Sequence, residues 1–282
     1  MLRVNLVGTG KVGRTLMSRL AEHPGYEIGD IHSRRTESAK GAVKAVGAGH
    51  VAPSLAAMRA ADIWCLAVPD DKIADIATEL AQTTATESDA QTIAVHFSGF
   101  LSSKVLAPLA KRGWSTASCH PVLSFADPEG AKAQFPGTFC GIEGEALASA
   151  RIAALMSDLG GRPFAVASAQ KALYHAAAVF SNNFTVVLQA IALEAWAEAG
   201  VDDDVARDLC AALLRSTVDN VTRIGPVDAL TGPAARGDEA VLSKQQAEVG
   251  AWHPDAGEVY RMMSRLARRL KKDGSTLPPF EG

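Results

Sequence analysis

The residues best equipped for chemistry lie in a few short runs. Gly8-Thr9-Gly10-Lys11-Val12-Gly13 follows the strand-like run Leu2–Val7 and opens a segment whose Leu16 and Leu20 share one helical face. Between a strand and a helix, the first glycine of such a run permits a tight turn. The second lets the backbone approach a pyrophosphate, and the third lets helix and strand pack closely. Free N–H groups at the helix start then face phosphate oxygens. Ser33-Arg34-Arg35 falls at the end of the next predicted strand. An acid there would bind a ribose 2′-hydroxyl, whereas hydroxyl and guanidinium groups match an added 2′-phosphate, so these residues point to NADP. The opposing reading makes Asp30 the ribose acid and leaves Arg34 and Arg35 as solvated loop charges. Asp30 falls inside the strand, before its end.

Ligands of such sheets lie across the carboxyl ends of the strands, which gives weight to the residues just past each strand. Val68-Pro69-Asp70-Asp71 is a stiff turn, and His96-Phe97-Ser98-Gly99 brings hydroxyl and backbone donors toward a nicotinamide ribose or carboxamide. Both runs are equally compatible with turn chemistry alone. His120 precedes Pro121, which restrains it to an extended conformation at a strand end, where its imidazole could donate a proton or pack against the sheet. Cys119 has no activating neighbour in sequence and reads as a buried strand residue.

A long apolar segment, Ala169–Ala199, carries Lys171, His175, Asn182 and Gln189, which fall on one face of a continuous helix at about 100° per residue. Such a line of polar groups needs partners, in a ligand cleft or a subunit contact. Lys171 could polarise a carbonyl or imine and deliver a proton, with His120 and His175 as relays and Asn182 orienting substrate. The alternatives are a solvated first-turn lysine and a core histidine. Arg236, in the Gly- and Pro-punctuated run Thr231–Asp238, could hold a substrate carboxylate or pair with Asp238 at the surface.

The elements that must position these groups change character along the chain. Strands are predicted at 3–7, 26–32, 63–67, 92–97, 115–119, 139–143 and 164–167, with helices at 12–23, 38–45, 71–78, 101–111 and 145–159. This βα alternation predicts a parallel sheet covered by helices. From Ala169 onward only helices are predicted, at 169–199, 203–224, 239–250 and 255–271, with an extended, poorly ordered tail from Thr276. The boundary implied is 1–168 for a dinucleotide-binding domain and 169–282 for a helical substrate and dimerisation domain.

The chain has 282 residues, 48% of them hydrophobic, and 28 Lys+Arg against 31 Asp+Glu, a net charge of −3. That length suits one large domain or two unequal ones, and the composition supports a packed core. The charge balance offers no footprint for nucleic acid. The four cysteines, Cys65, Cys119, Cys140 and Cys210, show neither disulfide-scaffold nor metal-ligand spacing. The apolar runs are interrupted before the length a membrane span needs, and no leader precedes the first strand, so the expectation is a cytoplasmic protein with a small-molecule substrate and no metal.

Taken together, Gly8–Gly13, Ser33–Arg35, Val68–Asp70, His96–Gly99, His120-Pro121, Lys171–Ala178 with Asn182-Asn183, and Thr231–Asp238 resemble one family. It is that of Rossmann-like proteins with a helical DUF2520 domain, often described as NADP oxidoreductases. The resemblance runs to about Lys271 and is most specific from Lys171 to Asn183. That family is similar to the wider 6-phosphogluconate-dehydrogenase-like group, which includes ketopantoate reductase, pyrroline-5-carboxylate reductase and a deazaflavin-dependent NADP reductase. The resemblance implies an α/β fold: an N-terminal Rossmann dinucleotide-binding domain followed by an all-α domain like the C-terminal domain of 6-phosphogluconate dehydrogenase. It implies NADP as cofactor more firmly than any one reaction. In the related hydroxyacid dehydrogenases, Lys is followed four residues on by Asn, where this chain has His175. The expectation is an NADP-dependent oxidoreductase acting on the carbonyl or imine of a small acid, as a homodimer. The alternatives are an NADP(H) sensor without turnover and a deazaflavin-linked reductase.

Overall fold

A computed structural model describes residues 1–83, 92–125 and 127–278. The end of the predicted tail, 279–282, lies outside the described residues. Two compact units divide the chain, Met1–Ser181 and Asn182–Gly282. The change of composition predicts a boundary at 168/169. The helix beginning at Lys171 instead belongs with the sheet, because its first residues are bonded to strand ends.

The first unit is built on strands β1 (Leu2–Val7), β2 (Tyr26–His32), β3 (His50–Val51), β4 (Ile63–Leu66), β5 (Ile93–His96), β6 (Ser115–Pro121), β7 (Phe139–Gly144) and β8 (Arg162–Ala165). They form one sheet in the order β3-β2-β1-β4-β5-β6-β7-β8. Helices cover both faces, so a central strand can be buried on both sides, as in the wholly buried Ile63-Trp64-Cys65-Leu66 of β4. Of the helices α1 (Lys11–Leu20), α2 (Thr36–Val46), α3 (Asp70–Thr83), α4 (Ala107–Ala110), α5 (Pro128–Gln134), α6 (Ala146–Asp158) and α7 (Lys171–Ser181), α1, α2 and α6 bury residues such as Leu16, Ala39 and Ile152 on one face. Ile73, Leu80, Leu109 and the tilted, touching rings of Trp64 and Trp114 fill the other.

Four details depart from the predicted elements. The pair β6–β7 runs antiparallel, with Ser118 opposite Glu143 and Cys119 opposite Ile142. β3 has two residues, too few for any periodicity. The helix predicted over 101–111 is a 3₁₀ turn at Ser103–Leu106 followed by α4, because Pro108 can occupy only the first turn of a helix. Helix α5 was not predicted; it starts at Pro128 under an Asp127 cap that accepts from the Gly130 N–H at 2.7 Å.

The second unit consists of α8 (Asn183–Glu198), α9 (Asp203–Ala229), α10 (Pro233–Arg236), α11 (Glu239–Trp252) and α12 (Pro254–Asp273). The predicted continuous helix over 169–199 is two helices separated at Asn182, whose backbone sits at φ −115°, ψ −68°. By length and apolar composition alone, the run Ser168–Glu198 would suffice to cross a membrane. This corrects the expectation of no such stretch: the uncharged polar residues that interrupt it weigh too little to disqualify it. The expected helix end at Ile224 coincides with a break inside α9, where Gly225 has φ 79° and ψ 164°. The four cysteines are free and buried.

Candidate functional site

A groove of about 740 Å³ runs along the carboxyl ends of β1, β2 and β4, within the first unit. The turn after β1 forms one wall. Gly8 takes φ +94°, and a Cβ there would stand 2.4 Å from the Ala67 carbonyl oxygen, so only glycine fits. A Cβ on Gly10 would meet nothing nearer than 3.8 Å, which leaves that backbone open to the groove. Gly13 is packed against the Gly8 carbonyl, Ala67 and Leu6. No side chain caps α1 and its first turn has no acid, so its leading N–H groups keep their affinity for an anion. Lys11 and Val12 begin α1 behind the turn, Lys11 exposed and Val12 half-buried.

The far wall comes from the loop after β2. Ser33, Arg34, Arg35 and Ser38 line the groove, the two arginines exposed. Thr9 donates to Ser33 Oγ at 3.1 Å, tying the two loops together, and Arg14 Nε donates to the Thr9 carbonyl at 3.0 Å. Val68 and Pro69 close the wall after β4. Asp30 is committed elsewhere. It is 3% exposed and its carboxylate accepts from the Arg59 backbone N–H at 2.6 Å and from the Arg59 guanidinium at 2.5 and 3.1 Å. Burial would raise its pKa, but the hydrogen bonds and charge of Arg59 hold it below the usual range. An ionised, fully paired Asp30 is not available to a ribose. Arg14 was missed by sequence reasoning, since its position in the helix gives no sign that its side chain folds back toward the turn.

Beside the groove lies a buried polar network. Asp70, directly after Pro69, accepts from Ser98 Oγ at 2.6 Å. The Ser98 carbonyl accepts from Lys171 Nζ at 2.8 Å, and Lys171 Nζ donates also to Ser118 Oγ at 2.9 Å. Ser118 Oγ in turn donates to Glu143 Oε1 at 2.7 Å. Glu143 further accepts from the Ser103 N–H at 2.5 Å, from Ser103 Oγ at 3.1 Å and from Ser168 Oγ. With every neighbour donating, Glu143 is a carboxylate. Burial would raise its pKa, but the bonds from Ser118, Ser168 and Ser103 outweigh that and hold it low. Lys171, 2% exposed, has its pKa lowered by burial, against a partial opposing effect from Glu143. A serine thus bridges a buried ion pair.

His120, Tyr174 and His175 form the outer layer. His120 Nδ1 lies 3.0 Å from the Tyr174 hydroxyl, and the His120 and His175 rings meet edge to face at 5.4 Å. Both rings abut Gly99, where a Cβ would stand 2.4 Å from His175 Nδ1 and 3.0 Å from His120 Nε2. Burial, then the charges of His175 and Lys171, lowers the His120 pKa to about 4, so its ring is neutral near pH 7. Lys171, Tyr174 and His175 share a face of α7 because they are three and four residues apart.

The structure therefore brings together Ser98, Gly99, His120, Lys171 and His175. It does not extend that face to Asn182: the helix is interrupted there, which ends the phase relation, and Asn182 is exposed at the start of the second unit. Arg236 is exposed in the second unit and paired with Asp238 at 2.8 Å. Glu143, Ser118 and Tyr174 were not anticipated. Glu143 sits opposite Ser118 only because β7 runs antiparallel, a pairing that no local pattern reveals.

Residues 1–121 match the family described as Rossmann-like domain, and residues 138–267 match the family described as Domain of unknown function (DUF2520). The first match covers the N-terminal part of the chain and the second the C-terminal part. The chain has no match among curated proteins. Among solved structures it is similar to protein TM1727 from Thermotoga maritima, with 26% identity over 96% of this chain and 99% of that one, at a TM-score of 0.75. It is similar also to BF3122 from Bacteroides fragilis, provisionally named an NADP oxidoreductase, with 24% identity, coverage of 95% and 98%, and a TM-score of 0.77. A pyrroline-5-carboxylate reductase from Coxiella burnetii shares the fold at 13% identity, coverage of 96% and 99%, and a TM-score of 0.61. The DUF2520 match begins at the edge of β7, so it includes Glu143 and all of α7, whereas the Rossmann-like match holds Ser98, Ser118 and His120.

Proposed function

We propose that this protein is an NADP-dependent oxidoreductase acting on the carbonyl or imine carbon of a small acid. The observation that carries the reading is the groove itself. A glycine turn and an uncapped helix face a diphosphate at one end, and Ser33, Arg34 and Arg35 face a 2′-phosphate at the other, while Arg59 withdraws Asp30 from competition. The names carried by the Bacteroides fragilis and Coxiella burnetii proteins support the class of reaction. When bound, the nicotinamide supplies or receives the hydride. The chain's own residues do the remaining work. Val68, Pro69, Ser98 and Gly99 guide the nicotinamide end. Lys171, held beneath Ser98, contributes a buried positive charge that favours negative charge developing on substrate oxygen. Proton transfer falls to His120 and His175, the imidazoles at the outer edge of the network.

The same proposal takes the protein as a cytoplasmic homodimer with a small-molecule substrate and no metal. Apolar side chains exposed in the second unit support the dimer, among them Val186 at 64% and Leu213 at 58%. Calorimetric titration tests the cofactor reading. NADPH is expected to bind at least about 10-fold more tightly than NADH, as one or two charged hydrogen bonds to a phosphate would give. Binding of neither nucleotide would overturn the proposal, and preference for NADH would remove the arginines' role. Turnover is then sought with a panel of keto acids and cyclic imines, and with a deazaflavin.

A further inference from the structure

The proton between His120 and Tyr174 can be placed from the surroundings of the two atoms. His120 Nδ1 and the Tyr174 hydroxyl oxygen are 3.0 Å apart, with the rings near perpendicular at 88°. If Nδ1 were the donor, the Tyr174 O–H would need another acceptor. Gly141 lies against that oxygen so closely that a Cβ would come within 2.5 Å of it, and Phe164 packs against the ring. Among the described residues the hydroxyl has no hydrogen-bond partner but His120. With Tyr174 donating, both groups are satisfied, and neutral His120 carries its proton on Nε2. That nitrogen faces Gly99 beside His175 Nδ1, which is buried without a hydrogen-bond partner.

We propose that Tyr174 is a positioning residue that holds His120 as its Nε2–H tautomer, so that His120 Nε2 and His175 Nδ1 together grip one substrate oxygen. The oxygen is that of a carbonyl or of the hydroxyl it becomes. Its identity rests on the oxidoreductase reading above; the tautomer does not. The three parts come from β6, the turn after β5 and α7, and each is held by a specific contact or restraint. Pro121 follows His120 in β6, Lys171 holds the Ser98 carbonyl next to Gly99, and Tyr174 and His175 are neighbours on α7.

Long-range ¹H–¹⁵N spectra of the imidazoles in the full chain test this, with His120 assigned by a His120→Gln variant. In the wild type His120 is expected as Nε2–H with an unprotonated Nδ1. Tyr174→Phe is expected to fold, to keep its NADPH affinity within about twofold, and to shift His120 toward a mixture of tautomers. A wild-type His120 protonated on Nδ1 overturns the proposal outright, and so does a tautomer that Tyr174→Phe leaves unchanged. The NADPH titration answers a separate question: lack of binding beside an Nε2–H His120 would sink the nucleotide reading while supporting the role of Tyr174.

Discussion

At the scale of single residues, the strongest expectation concerns Arg34 and Arg35. Charged hydrogen bonds to a phosphate contribute about 1.5–3 kcal/mol each. Replacing both arginines by alanine is therefore expected to weaken NADPH binding by about 100-fold or more while changing NADH affinity little, as read by calorimetry. The buried network yields a second expectation. Lys171→Met removes the cation that donates to Ser98 and Ser118, leaving Glu143 buried without its counter-charge. Breaking a buried pair costs about 3–5 kcal/mol, and thermal unfolding should show a loss of that order. The placement of these groups was legible in the sequence, because Gly8–Gly13, Ser33–Arg35, His120 and Lys171 stand at strand ends or helix starts. Glu143 and Tyr174 were not legible. Each acts through a partner distant in sequence, Glu143 through Ser118 on the neighbouring strand and Tyr174, on α7, through His120, and sequence spacing carries no record of such pairs. The ambiguity over Asp30 was likewise resolved only by Arg59, which lies 29 positions away.

At the scale of elements, periodicity located most strands and helices, and its failures have physical causes. It could not see the two-residue β3, and it joined α7 to α8 because alanine-rich sequence continues smoothly through Asn182. The shared face expected of Lys171, His175, Asn182 and Gln189 was lost with that join, and only the part within α7 survives. The break in α9 makes its own prediction. Gly225, at φ 79° and ψ 164°, occupies a region open essentially to glycine alone, and Pro226 follows. Gly225→Ala is expected to cost about 1–3 kcal/mol, seen as a lower denaturation midpoint with an unchanged m-value.

At the scale of the whole molecule, acid should be a selective stress. Burial is the main cause that lowers both His96 and His120 from 6.5 to about 4. Between those values the unfolded chain takes up protons that the folded one refuses, so stability is full above about pH 6.5 and falls as pH drops toward 4. Glu143 and Asp30, held low in the folded protein, add to the loss below the ordinary carboxylate range. Thermal melts between pH 7.5 and 4 should show a falling midpoint, with a shallower fall in His96→Gln if that variant folds and in His120→Gln otherwise. The exposed apolar surface of the second unit gives the other expectation. Light scattering at micromolar concentration should report twice the chain mass, and Val186→Lys with Leu213→Glu should halve it; a wild-type monomer would refute the dimer. The antiparallel placement of β7 also bears on how such chains can diverge. The family boundary at residue 138 runs through the network, leaving Ser98 and Ser118 on one side and Glu143 and Lys171 on the other. Chimeras that exchange the C-terminal portion at this seam would separate residues selected to fit one another. Viable recombinants should instead cross over after Ser181, where the whole set travels on a single parental segment.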